Sequence, residues 1–144
     1  MRILVDADAC PVKEIIVAEA KKRNIEVIMI IDTSHEINDG YSNVITVDKA
    51  RDSVDIKLIN ILSNEDIVVT QDYGVAAMAL GKKAIALNQN GLVYTDKNMD
   101  TLLFERFVGQ KLRRAGKLTN TARKRTKEDD ENFRSKFIML LDKH

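Results

Sequence analysis

Short apolar runs alternate with amphipathic stretches along the first two-thirds of the chain. Residues 2–6 (RILVD), 26–31 (EVIMII), 66–70 (DIVVT) and 83–87 (KAIAL) are compact apolar segments, several of them rich in β-branched residues. A fully buried strand has this pattern, because both of its faces meet apolar partners. Residues 43–47 (NVITV) predict a further short strand. Between these runs the period changes to that of a helix. Pro11 fits a first helical turn, and Val12, Ile15, Ile16 and Ala20 follow at helical spacing. The basic run Lys21–Arg23 suits the carboxyl end of that helix. Residues 53–62 carry Val54, Ile56, Leu58, Ile59, Ile61 and Leu62, a helix with a broad buried face. Residues 73–80 predict a short helix, with Gly81 as its left-handed terminating residue. Asn90-Gly91 predicts a turn.

Strands that alternate with helices predict a parallel sheet with helices on both faces. The expected fold class is α/β: a three-layer α/β/α sandwich with a mostly parallel, Rossmann-like sheet. From Asn98 the pattern becomes helical, through Leu102, Leu103, Phe104, Phe107 and Leu112. Residues 116–129 are polar and basic with no core-facing period, and residues 130–143 regain an amphipathic pattern through Phe133, Phe137, Leu140 and Leu141. Thr126 and the acids behind it (TKEDD) read as the cap of that last helix. The expected organisation is one domain over residues 1–144, with 98–144 as a basic helical C-terminal extension.

This architecture gives the acidic residues their meaning. In an open α/β sheet, ligands bind at the carboxyl ends of the strands. Asp6 ends the first predicted strand, and Asp8 follows with only Ala7 between them. Asp72 lies two residues beyond Thr70. Asp52 and Asp55, three apart in ARDSVD, share one face at the start of a helix. In a parallel sheet Asp6 and Asp72 fall on the same edge, and a helix starting there adds Asp55. Carboxylates crowded together repel unless a proton or cation lies between them, and an all-oxygen set favours Mg²⁺ or Mn²⁺. Asp6, Asp52, Asp55 and Asp72 are therefore the candidate metal ligands, and Asp6, Asp8, Asp55 and Asp72 the candidate catalytic acids. Each also has a structural reading: Asp52 and Asp72 are good helix N-caps, and Asp55 complements a helix dipole.

Charge adds a second feature. The chain is nearly neutral, but residues 1–104 carry 11 Lys and Arg against 16 Asp and Glu, whereas residues 105–144 carry 12 against 6. No acid lies between Arg106 and Lys127. Lys111, Arg113, Arg114, Lys117, Arg123, Lys124 and Arg125 are the candidate phosphate contacts for a nucleic acid. The 44% apolar and 31% charged content is ordinary for a globular protein. With one cysteine, Cys10, there is no intrachain disulfide. Cys10 has no histidine near it in sequence and reads as a small buried residue at a helix start. The two histidines, His35 and His144, are too few for a zinc site. No signal-like segment and no apolar run near eighteen residues is present, so the expectation is a cytoplasmic protein without a membrane partner.

Several segments together carry a family resemblance. VDADACPVK, ARDSVDIKLI, DIVVTQDYGVAAMAL, ALNQNG with YT, and the later KLRRAG and TKEDDENF resemble, in order, the YaiI/YqxD family of bacterial proteins. That family is similar to PIN-like nuclease domains, α/β/α sandwiches with acids clustered at the strand ends. The resemblance implies that Asp6, Asp55 and Asp72 occupy metal-binding positions, with Asp8 and Asp52 close by. The helix acid of many PIN nucleases is Glu, and here it is Asp55, one methylene shorter. The function this implies is a Mg²⁺- or Mn²⁺-dependent nuclease, with RNA favoured over DNA. Two alternatives stand beside it. One is a catalytically inactive module that binds nucleic acid or protein. The other is a haloacid-dehalogenase-like phosphatase, since DADA resembles that family's Asp-x-Asp; Cys10 and Pro11 in the continuation and the lack of a cap domain count against it.

Overall fold

The computed structural model describes residues 1–49, 53–116 and 124–143. Five strands form one sheet: β1 (Arg2–Asp6), β2 (Glu26–Asp32), β3 (Asn43–Val47), β4 (Ile67–Val69) and β5 (Ile85–Leu87). Their order is β3-β2-β1-β4-β5, and every pairing between them is parallel. Five helices accompany them: α1 (Lys13–Lys22), α2 (Val54–Ile61), α3 (Tyr73–Gly81), α4 (Asp96–Arg114) and α5 (Lys127–Asp142). The chain has the three-layer α/β/α architecture expected from the alternation of its elements.

Both faces of the sheet are apolar, which is why the strands read as unbroken runs. Ile3, Val5, Val27, Met29, Ile31, Ile67 and Val69 face one layer, where Val12, Ile16 and Ala20 of the α1 region meet Phe133, Phe137 and Leu141 of α5. Leu4, Ile28, Ile30, Val68 and Ala86 face the other layer, with Leu58 of α2, Val75 and Ala79 of α3, and Met99 of α4. Phe133 and Phe137 are fully buried and stacked at 5.2 Å between ring centroids, so α5 is part of the core. Polar links reinforce its attachment: Arg23 of the α1 terminus binds Asp142 at 2.8 Å, and buried Glu19 faces Lys22, Arg23 and Arg134. At the sheet's other end, buried Asp66 accepts both arms of Arg2 at 3.1 and 2.8 Å, which locks the start of β1 to the start of β4.

Several element ends depart from expectation: α1 begins at Lys13 with Val12 at its N-cap, so Pro11 lies in the turn before the helix and not in its first turn, and α4 begins at Asp96, two residues before Asn98. α3 runs through Gly81, and the left-handed residue beyond it is Lys83, at φ 63°, with Lys82 as the cap. The helix thus ends one residue beyond the predicted 73–80, and its left-handed residue comes two residues after the glycine. α2 takes Ser53 as its N-cap through Ile56 N–H, the role the sequence offered to Asp52, which lies outside the described residues. Two other caps follow expectation. Thr126 and Asp129 form a reciprocal box at the start of α5, and Asp72 caps α3. Gly91 adopts φ 85° in the turn after β5, and a Cβ there would lie 2.7 Å from the Asn132 carbonyl oxygen of α5. Only glycine meets both demands.

Candidate metal centre

Strand order fixes where the site forms. From β1 the chain winds outward through β2 and β3, then crosses back to β4 on β1's other side and continues to β5. The crevice between the carboxyl ends of β1 and β4 is the topological switch point, the usual ligand position in such sheets. Register does the rest. Leu4 lies beside Val68 and Val5 beside Val69, so the next pair is Asp6 and Thr70. Both share the strand face of Leu4 and Val68, the face covered by α2, α3 and α4.

Thr70 sits between two of the acids. Its hydroxyl donates to Asp6 Oδ2 at 3.0 Å and accepts from the Asp72 backbone N–H at 3.0 Å. Asp72 Oδ1 in turn caps α3 through Gly74 N–H at 2.7 Å and Val75 N–H at 3.3 Å. Its Oδ2 has no hydrogen bond among the described residues. Asp55 stands in the first turn of α2. Asp6, Asp8, Asp32, Asp55 and Asp72 all line one cleft of about 310 Å³, and Lys49 is the cation among its described lining residues.

Burial pushes the Asp6 carboxyl up to about 6, against a hydrogen bond from Thr70 that favours the ionised form, and the charges of Asp72, Asp8 and Asp55 push it further the same way. Behind the site, Tyr94 is buried, donates to the Thr70 carbonyl at 3.0 Å and has its hydroxyl pushed up to about 12, first by burial and then by Tyr73 and Asp72. It is a fixed hydrogen-bond donor that supports the β4 end. Cys10 is buried, as the sequence suggests, and that burial pushes its thiol up, which disfavours the thiolate.

Asp8 turns toward β2. Its Oδ1 lies 2.8 Å from His35 Nδ1, and His35 is also 3.3 Å from Asp32 Oδ1. Among the described residues, the set of three metal-binding side chains whose ligand atoms all come within 4.8 Å of one another is Asp8, Asp32 and His35. Hydrogen bonds from the Ser34 hydroxyl and backbone hold Asp32 below the usual carboxylate range. Asp6, Asp55 and Asp72 are spaced more widely around the same cleft. The sequence pattern gives Asp32 no role in the site and counts His35 only against a zinc site. Asp32 ends β2, the neighbour of β1, and that adjacency was the signal for its place at the edge.

The basic candidates scatter. Arg113 faces a cleft beside Asp72. Lys111 lies over the Phe107 ring at 5.4 Å, and Arg114 and Lys124 are exposed. Arg125 is committed internally: it binds Asp130 at 2.8 Å, Asn90 at 2.7 Å and the Gln89 carbonyl at 2.7 Å. Asp52, Lys117 and Arg123 lie outside the described residues.

A family profile described as "Uncharacterized BCR, YaiI/YqxD family" matches residues 4–143. The chain belongs to the YaiI/YqxD family. Its relatives include a UPF0178 protein of Ruminiclostridium cellulolyticum, 70% identical over 141 residues that cover 98% of this chain and 92% of that one. A UPF0178 protein of Alkaliphilus oremlandii is 54% identical over 144 residues, covering 100% and 93%. One from Lachnoclostridium phytofermentans is 56% identical, covering 98% and 97%. No solved structure matches. For this member of the YaiI/YqxD family, the arrangement at the switch point is thus the main guide to chemistry. No helix among the described residues is long and apolar enough to cross a membrane.

Proposed function

We propose that the protein is a divalent-metal-dependent nuclease that hydrolyses phosphodiester bonds, with RNA as its favoured substrate. The observation that carries this reading is the convergence of Asp6, Asp55 and Asp72 from three separate elements on one cleft, where burial, and to a lesser degree the neighbouring acids, hold the Asp6 carboxyl near 6. Such a site has charge to neutralise and only oxygen donors among its central acids, which fits Mg²⁺ or Mn²⁺. Asp6, Asp55 and Asp72 would hold the ion. An ion there supplies Lewis-acid activation of water and neutralises charge on the phosphoryl group.

The chain's own groups have distinct tasks. Thr70 orients Asp6 and, through the Asp72 backbone, sets the distance between the two acids. Asp72 uses one oxygen for the α3 cap and keeps the other for the cleft. Asp8, held by His35, lines the cleft on the β2 side, where it can accept a proton from water. Tyr94 keeps the β4 end fixed from behind. The DADA segment gives the phosphatase alternative no additional support, since Asp8 is paired with His35.

The test is cleavage of single-stranded RNA with Mn²⁺ by wild type and by Asp6→Asn. Loss of at least about 100-fold in the variant is expected, in the range of removing a central electrostatic group. Equal rates in both proteins would overturn the assignment.

A further inference from the structure

A second, larger cavity opens beside the acidic cleft. It occupies about 570 Å³ between the start of α3 and one face of α4, and Asp72 lines both spaces. From α4 it is lined by Leu102, Glu105, Arg106, Gly109 and Arg113, a single stripe at helical spacing. The Arg106 guanidinium lies over the Tyr73 ring, 5.8 Å from its centroid. That ring is itself fixed edge-on against Tyr94 at 6.2 Å. Arg113 folds back along the helix over Gly109, where an added Cβ would lie 3.4 Å from Nη1. Neither arginine has a carboxylate partner among the described residues, so both guanidiniums keep their donors for a ligand. They are seven residues apart, roughly 10 Å along the helix axis, too far to share one phosphate.

We infer that this cavity is the binding track for a single-stranded nucleic acid leaving the acidic cleft, with Arg106 and Arg113 holding two different phosphates of its backbone. The inference rests on the nuclease reading and deepens it. Three observations converge: planar guanidiniums suited to phosphate oxygens and without a carboxylate partner among the described residues, an aromatic ring that holds one of them in place, and direct continuity with the acids through Asp72. Tyr73 is a positioning residue for Arg106. Glu105 opposes binding from the same wall and tunes it downward. A single strand fits because a concave acidic cleft at the end of the track requires the backbone to bend into it. The basic segment that the sequence singled out begins with Arg106, and the part of it that lines this track among the described residues is the stripe on α4.

Fluorescence anisotropy tests this with a labelled single-stranded RNA decamer, its DNA counterpart and a duplex, in EDTA, at several salt concentrations, on the full chain. Arg106→Ala/Arg113→Ala is expected to weaken single-strand binding at least about tenfold and to reduce the slope of log K against log salt by about 1.4, or about 0.7 per lost phosphate contact. Glu105→Gln is expected to tighten binding severalfold. Tyr73→Phe should retain affinity that Tyr73→Ala loses. Lys21→Ala/Lys143→Ala removes the same charge elsewhere and should change binding less than twofold. An equal loss in that control, equal affinity for the duplex, or no single-strand binding by wild type would overturn the inference. The nuclease reading is scored separately by cleavage in Mn²⁺: loss of cleavage in Asp6→Asn, with the arginine variants unaltered in RNA affinity, would leave the metal centre standing and the track refuted.

Discussion

Asp6 is the residue on which the electrostatics concentrate. Its carboxyl sits near 6, above the ordinary value of 3.8, so the folded chain holds that proton more tightly than the unfolded chain. The stabilising contribution is therefore complete below about pH 4 and is lost as pH rises through about 6. For the metal-free protein, Asp6→Asn should add about 1–2 kcal/mol at pH 7.5 and remove much of the stability gained on acidification to pH 5, as urea titrations at the two pH values would show. Divalent affinity follows the opposite course. A proton competes for the same oxygens, so Mn²⁺ affinity should be flat above pH 7 and fall about tenfold per pH unit well below 6, read by calorimetry. Thr70→Val separates orientation from charge. It keeps the β-branched shape but deletes the hydroxyl between Asp6 and Asp72. RNA cleavage should fall about tenfold or more with the melting temperature nearly unchanged; an unaltered rate would show that Thr70 does not position the acids.

At the scale of elements, α5 decides how the second half of the chain is understood. Its Phe137 is fully buried in the layer beneath β1 and β2. Phe137→Ala should cost about 3–5 kcal/mol in chemical denaturation, as for a core aromatic. A loss below about 1 kcal/mol would mean that the helix is dispensable. The amphipathic run that forms α5 was legible in the sequence, as were the buried strands, because doubly covered strands leave an unbroken apolar signature. Helix ends were less legible. Gly81 suggested a stop that Lys83 provides, because the chain must reach Ala84, whose N–H bonds the Ala79 carbonyl, before β5 can start. Asp32 and His35 escaped notice for a different reason. Their local sequence is good turn chemistry, and their nearness to Asp8 exists only once β2 lies against β1. Arg106 was one charge in a basic run; its place beside Tyr73 depends on α4 packing on α3.

Across the whole molecule, acids far apart in the chain and two arginines of α4 come to lie on neighbouring surfaces. Acids from four separate segments line one cleft, and the α4 arginines stand on the wall next to it. A ligand that requires the assembled cleft binds only the folded chain. Mn²⁺ at 100 times its dissociation constant should then stabilise the protein by about 2.7 kcal/mol. That corresponds to a rise of roughly 5–10 °C in melting temperature for a chain of this size. Scanning fluorimetry reads the rise, which Asp6→Asn should abolish; an equal shift in the variant would place the ion elsewhere.

The central position of β1 also has a consequence for synthesis. Of the five strands, the first to be made is the middle one, and Ile3 finds its second neighbour only at Ile67. β2 can cover one side of β1 early, but the other side stays unpaired until β4 has left the ribosome. At about 5–20 residues per second, the stretch between β2 and β4 takes roughly 2–7 s to make. Throughout that interval the nascent chain presents a naked apolar strand edge, so protection during translation, more than the final stability of the sheet, should govern how much of the protein escapes aggregation.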